Sequence, residues 1–345
     1  GVRGAGAGRV LFVNLPLTTL RLQADGLFLH GFLRLFAQDL AGLPQLSPMP
    51  EARGALVLNW QIDSAQALPA LQALDALGAF DVGPASLHLT AGPDNGRRGD
   101  GLGVDLARNA PLRAFLQRRL AGGDEVGSHG GWMHDAFGRS AHLLERSQAI
   151  ELITRNSDFV RGATGRPVRE YSAPLGNHPA WLTPWLRSQG VLAYHFSGDA
   201  GMPPTRSYQD GQRGPADIWA FPVLRFGSAA GLGEAHAQAV AGDDLAAWLV
   251  DVADYCADQR TLRVVGLHPP DALLFPQAVS RWLAHARSLV DAGRLHWTTM
   301  SRQAAFANRR LAVRWQLVDT AGDGGAGAIR QLQAEHPASL AQMSW

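Results

Sequence analysis

Between residues 54 and 310, short apolar runs alternate with longer segments in which apolar residues return at about every third or fourth position. An apolar run bounded by turn residues marks a strand buried on both faces, and the longer period marks a helix with one apolar stripe. Their alternation predicts repeated βα units around a parallel sheet or barrel, an α/β fold. The strands fall at residues 55–61, 86–90, 125–128, 168–171, 192–196, 218–222, 262–267 and 295–298. The helices fall at 65–77, 111–120, 143–161, 179–188, 243–259, 277–291 and 301–309. Asp243 and Ser301 stand where helix N-caps belong, and Gly190 and Gly293 stand where helices end.

The two ends depart from this rhythm. Residues 9–16 read as a strand, 27–40 as an amphipathic helix and 44–50 as a Pro-rich connector. Residues 1–53 are therefore expected to be an extension packed on the barrel or the tail of an upstream domain. Gly4, Gly6 and Gly8 precede a strand instead of following one, which excludes a dinucleotide loop and predicts a flexible terminus. At the far end, residues 312–319 and 329–335 read as a hairpin around the Gly-rich stretch 321–328, the start of a small β module over 311–345. With Gly1 first and no basic-then-apolar leader, the chain reads as a mature or excised fragment.

Composition narrows the function classes. At 345 residues with 46% hydrophobic and 18% charged positions, the chain has ample material for a packed core. Its net charge of +1 and lack of a dense Arg cluster argue against nucleic acid as a partner, although every basic residue is Arg. No apolar stretch is long enough to span a bilayer. Cys256 is the sole cysteine and falls in an apolar helical pattern, so it is expected to be a buried thiol outside any intrachain disulfide.

In a parallel barrel the loops after strand C-termini share one face, so chemistry is expected just after each strand. Asp63, His129, Pro174, Asp199 and His268 all fall there. The segment Val126-Gly-Ser-His129-Gly-Gly-Trp132-Met-His134-Asp135 ends a strand with two imidazoles that can face one cation. Surface or capping roles also fit two close histidines in a chain that has 12. Asp63 ends the apolar strand Leu56-Val-Leu-Asn-Trp-Gln-Ile-Asp63, where it either caps the next helix or completes a ligand set. One Asp and two His leave coordination positions open for water and substrate, as a catalytic site requires. Trp60, Trp132, Trp219 and Tyr171 offer flat faces for sugar rings or serve as core.

The order of Asp63, "ASLHLTAG", "GDEVGSHGGWMHD", "REYSAPLGNHP" and "VVGLHPP" resembles the successive motifs of the polysaccharide deacetylase family, carbohydrate esterase family four. The likeness runs from Gly54 to Arg309. It implies a distorted (β/α) barrel over 54–310 in which Asp63, His129 and His134 hold a divalent metal, most often Zn²⁺. It further implies that His268 protonates the leaving amine and that Pro174, with Ser172, Asp199, Trp132 and Trp219, lines the substrate groove. The implied activity is removal of N-acetyl groups from an amino-sugar polysaccharide, outside the cytoplasm and beside export or synthesis machinery.

Three positions depart from the family pattern. Gln61 and Ile62 stand where an acid serving as general base is usual, leaving Asp135, Asp199 or a doubly used His268 for that role. The step from His129 to His134 is one residue longer than usual, so Gly130-Gly131 must bulge for both rings to reach one cation. Ser172 replaces an expected Arg, with Arg169 a shifted substitute. These departures also fit a weakly active or inactive polysaccharide-binding domain, and a third reading is a hydrolase of small cyclic amides.

Overall fold

The computed structural model describes residues 1–6, 8–16, 27–196, 203–206, 208–209, 212–320 and 329–345. Nine strands among them form one curled sheet: β1 (Gly54–Ile62), β2 (Ser86–Leu89), β3 (Glu125–His129), β4 (Glu170–Ser172), β5 (Ala193–Phe196), β6 (Thr205–Arg206), β7 (Trp219–Pro222), β8 (Leu262–Leu267) and β9 (Leu295–Thr298). The order is β8-β1-β2-β3-β4-β5-β7-β6, and all neighbours are parallel except β7 with β6. β8 runs along one edge of β1, so the other edge is shared: β9 takes residues 54–57 and β2 takes residues 59–62.

The helices are α1 (Ala67–Ala76), α2 (Ala110–Ala121), α3 (His134–Ser140), α4 (Arg146–Thr164), α5 (Leu182–Ser188), α6 (Leu232–Ala237), α7 (Gly242–Gln259), α8 (Pro269–Ala272), α9 (Pro276–Asp291) and α10 (Met300–Leu311). The predicted strands and helices all occur, whereas α3, α6 and α8 were not predicted because each is too short to display a period. Two caps differ from expectation. The hydroxyl of Thr299, not Ser301, accepts the Arg302 amide at 3.3 Å, and α7 begins before Asp243, whose carboxylate lies in the first turn. An acid there still complements the positive end of the helix. Gly190 (φ 81°) and Gly293 (φ 68°) take the left-handed conformation expected of C-terminal caps.

Because successive strand residues point to opposite faces, parity decides what fills the barrel. Leu56, Leu58, Trp60 and Ile62 of β1 join Leu87, Leu89, Val126, Val265 and Leu267 in the large cluster beneath the helices. The alternate positions point inward: Ala55 and Val57 pack with Ala193, Leu262 and Val264 at the strand-start end. Continuing that parity, Asn59, Gln61 and Asp63 climb the interior beside His88, His129, Glu170, Ser172, His195 and His268. Room for these rings comes from inward glycines. A Cβ on Gly127 would lie 2.4 Å from His88, and one on Gly266 would lie 2.7 Å from His195.

The termini flank this body. Val2–Ala5 and Gly8–Leu11 form an exposed antiparallel hairpin, so the strand expected at 9–16 is shorter and the Gly-rich start is paired. The helix Leu27–Arg34 continues as a π-helical turn, Leu35–Leu40, and Arg34 Nη1 donates to the Gln259 carbonyl at the end of α7 (2.6 Å). Arg314–Thr320 and Ile329–Glu335 pair antiparallel, as expected, and the Gly-rich stretch 321–328 lies outside the described residues. Cys256 is buried in α7, as expected. Among the described residues no helix is long and apolar enough to cross a membrane.

Asn156, buried on α4, clamps the C-terminal ends of β2 and β3. Its Oδ1 accepts the Ala91 amide (2.6 Å) and its Nδ2 donates to the Leu89 carbonyl and to Ser128 Oγ (both 2.8 Å). Replacement by Ala would strand buried partners, each costly to desolvate. Asn156→Ala is expected to lower stability by about 3 kcal/mol, read as a lower urea midpoint at unchanged slope.

Candidate metal centre

Inward parity brings Asp63 (after β1), His129 (end of β3) and His268 (after β8) to one mouth of the barrel, and His134, first residue of α3, joins them. One ligand atom from each of the four lies within 4.8 Å of all the others. Asp63 Oδ2 is 3.1 Å from His268 Nε2, 3.3 Å from His134 Nε2 and 3.9 Å from His129 Nε2. Asp63, His129 and His134 are buried, while the His268 side chain is 33% exposed and so forms the outer wall.

Each ring is oriented from behind. His129 Nδ1 lies 2.5 Å from Ser172 Oγ, leaving its buried Nε2 without a hydrogen-bond partner and aimed at the centre. His134 Nδ1 lies 2.9 Å from Asp135 Oδ1, and Arg139 holds the other Asp135 oxygen at 3.2 Å. His268 Nδ1 faces Asp271 at 3.7 Å. The extra residue between His129 and His134 is absorbed by a turn at Gly130, whose φ of 66° is left-handed. A Cβ there would lie 2.3 Å from Pro174, and one on Gly131 would lie 2.5 Å from Phe137, so both positions exclude side chains.

A buried imidazole nitrogen with no partner, a second buried imidazole and a carboxylate make a donor set that could hold a divalent cation. The electrostatics agree. Burial holds the His129 pKa well below the ordinary value of 6.5, helped by the neighbouring His134 and His268, so the ring is held neutral, the form in which an imidazole can ligate. Burial opposes charge on Asp63, but the bond and attraction from His268, with the attraction of His134, together outweigh it and lower its pKa; reciprocally, burial opposes charge on His268, and Asp63, helped by Asp271 and Asp135, raises its pKa.

Other expected residues scatter. Pro174 is buried against the Gly130 turn, and Ser172 sits behind His129. Trp132 does not offer a free face, because Arg155 lies 4.0 Å over its ring centroid and Phe159 abuts it edge-on at 4.7 Å. Trp219 begins β7, so it lies at the opposite end of the barrel from the four-residue cluster, with its Nε1 donating to Asn308 Oδ1 (2.8 Å). Trp60 and Tyr171 are fully buried core residues. Asp199 lies outside the described residues. Arg169 is exposed at the start of β4, too far down the strand to substitute for an Arg at 172. Asp135 is engaged by His134 and Arg139. His88 and Glu170, both fully buried beneath the cluster, were overlooked; two-residue periodicity from Ser172 and from Thr90 would have turned them inward.

No protein-family model matches the sequence, and no curated protein matches it. Solved structures do. A probable polysaccharide deacetylase from Pseudomonas aeruginosa PAO1 aligns over 79% of this chain and 97% of its own at 13% identity and a TM-score of 0.53. The allantoinase PuuE aligns over 76% and 93% at 15% identity and a TM-score of 0.52. The chain has the polysaccharide deacetylase fold. At these identities the likeness concerns the fold, and within that fold the cluster occupies the strand-end face where a (β/α) barrel collects its loops.

The buried histidines give a sign to the pH response. The pKa of His178 is pushed down to about 4 and that of His195 to about 3, both chiefly by burial, from 6.5. A histidine with a depressed folded-state pKa contributes stability above its unfolded value and loses it as pH falls toward the folded one. Glu170 and Asp63, also lowered, act in the same direction at lower pH, whereas the raised His268 contributes below its unfolded value and loses that as pH rises. Metal-free protein is therefore expected to lose stability between about pH 6.5 and 4, with His178 and His195 contributing about 2 kcal/mol each by about pH 5. Denaturant midpoints across that range check this, and His178→Gln with His195→Gln should flatten the slope.

Proposed function

We propose that this protein is a metal-dependent hydrolase that removes N-acetyl groups from an amino-sugar polysaccharide, an exopolysaccharide or cell-wall polymer. The observation that carries this reading is the convergence of Asp63 with the partnerless Nε2 of His129 and with His134. These residues would hold the cation, for which Zn²⁺ suits the imidazole-rich set. A cation there supplies Lewis acidity toward the acetamide carbonyl and toward the attacking water.

The remaining chemistry belongs to His268. It lines the exposed side of the cluster, and Asp63 favours its protonated form, as an acid for a poor amine leaving group requires. Ile62 offers no base and Asp135 is occupied in orienting His134. Among the described residues His268 is therefore assigned both proton transfers: as the neutral imidazole it accepts from water at Nε2, and the imidazolium so formed, which Asp63 stabilises, donates that proton to the amine. Such a substrate places the protein in the periplasm or outside the cell, beside polysaccharide synthesis or export machinery.

The 3.1 Å approach of His268 Nε2 to Asp63 favours a second reading in which His268 is a fourth ligand and the centre is closed. Acetate release from N-acetylglucosamine oligomers tests both. Chelation is expected to abolish release and Zn²⁺ to restore it. His129→Ala should lose the metal, whereas His268→Ala should keep it and lower kcat by about 10²- to 10³-fold. Loss of metal from His268→Ala as complete as from His129→Ala would establish the closed site; release indifferent to chelation would overturn the hydrolase reading.

A further inference from the structure

Beneath the centre, Glu170, His88 and Ser172 form a buried chain that the proposed reaction does not use. His129 Nδ1 meets Ser172 Oγ at 2.5 Å, Ser172 Oγ meets His88 Nδ1 at 2.9 Å, and His88 Nε2 meets Glu170 Oε2 at 3.0 Å. Glu170 Oε1 accepts the Ser301 amide at 2.7 Å, at the N-terminus of α10. Burial disfavours a charged Glu170, but bonds from His88, Ser86 and Ser301 outweigh it and lower its pKa. The positive end of α10 adds to that preference.

An ionised carboxylate only accepts, so the hydrogens of the chain can be assigned from that end. His88 donates from Nε2 to Glu170, and its Nδ1 can then accept from Ser172. The Ser172 hydroxyl donates to that nitrogen, and its oxygen accepts from His129 Nδ1–H. This assignment leaves His129 Nε2 bare, in keeping with its burial without a hydrogen-bond partner. In the reverse assignment the Ser172 hydroxyl would donate to His129 and move the ring hydrogen to Nε2. That N–H would be buried, with Asp63 no nearer than 3.9 Å.

We propose that Glu170, His88 and Ser172 are positioning residues that lock His129 in its Nδ1–H form and thereby present the Nε2 lone pair to the cation. The inference rests on the metal-centre reading. It also gives Ser172 a reason to stand where the family resemblance leads one to expect Arg: a hydroxyl both accepts and donates, whereas a guanidinium only donates and would break the chain.

Imidazole ¹⁵N shifts of metal-free protein at neutral pH, together with Zn²⁺ affinity measured against a chromophoric chelator, test the proposal. The wild type should show His129 protonated at Nδ1 and bare at Nε2. Ser172→Val, which keeps the shape and removes the hydroxyl, should mix the tautomers and weaken Zn²⁺ binding by about 10- to 100-fold. Ser172→Thr should preserve both, which a merely space-filling role for residue 172 would not require. Glu170→Gln, at the far end of the chain, should shift both readouts in the direction of Ser172→Val and carries the test if that variant does not fold. A wild-type ring protonated at Nε2, or unchanged tautomer and affinity in Ser172→Val, would overturn it. Zn²⁺ binding by His129→Ala equal to wild type would instead remove the metal-centre reading, and the ¹⁵N shifts would still decide the hydrogen-bond chain.

Discussion

A carboxylate surrounded by imidazoles at the mouth of a barrel is the constraint on which the structure turns. Asp63 is removed from water, so it needs positive charge close by, and His268 supplies it in the metal-free molecule at 3.1 Å. Such a pair compensates burial without being a strong source of stability, because each partner has also lost its hydration. A cation changes the balance by meeting the carboxylate and the neutral rings together. The arrangement is more readily explained by ligand holding than by structural demand.

Beneath the mouth, the barrel interior is unusually polar. Gln61 Nε2 lies 3.4 Å from both Asn59 Oδ1 and His195 Nδ1, and His88 bridges Ser172 to Glu170. Helix α10 closes the far end by directing its first amides at Ser86 and Glu170. Support for the centre therefore reaches across the strands to a helix N-terminus. Apolar packing is delegated to the outer face, where Leu58, Trp60, Leu87 and Leu89 meet the helices.

Much of this was legible in the sequence because strand periodicity is rigid. The order of strands and helices followed from apolar spacing, and placing Asp63, His129 and His268 at strand ends was enough to nominate them together. What escaped were properties that spacing does not encode. A tryptophan reads alike at either end of a strand, so Trp219 was assigned to the groove although it begins β7. The Trp132 ring is taken by Arg155 and Phe159, both on α4, a contact set by helix packing. His88 and Glu170 lay within predicted or adjoining strands and looked like ordinary sheet residues until parity was applied along β2 and β4.

The inward glycines carry a consequence for inheritance. Gly127 lies against His88 and Gly266 against His195, each so closely that one methyl group would displace the ring. A small residue on one strand and a large one on its neighbour thus behave as a single trait, since neither enlarges unless the other shrinks. Descendants of this chain should vary these couples in concert, and a barrel that trades the imidazole for a slimmer side chain is the one free to give up its glycine.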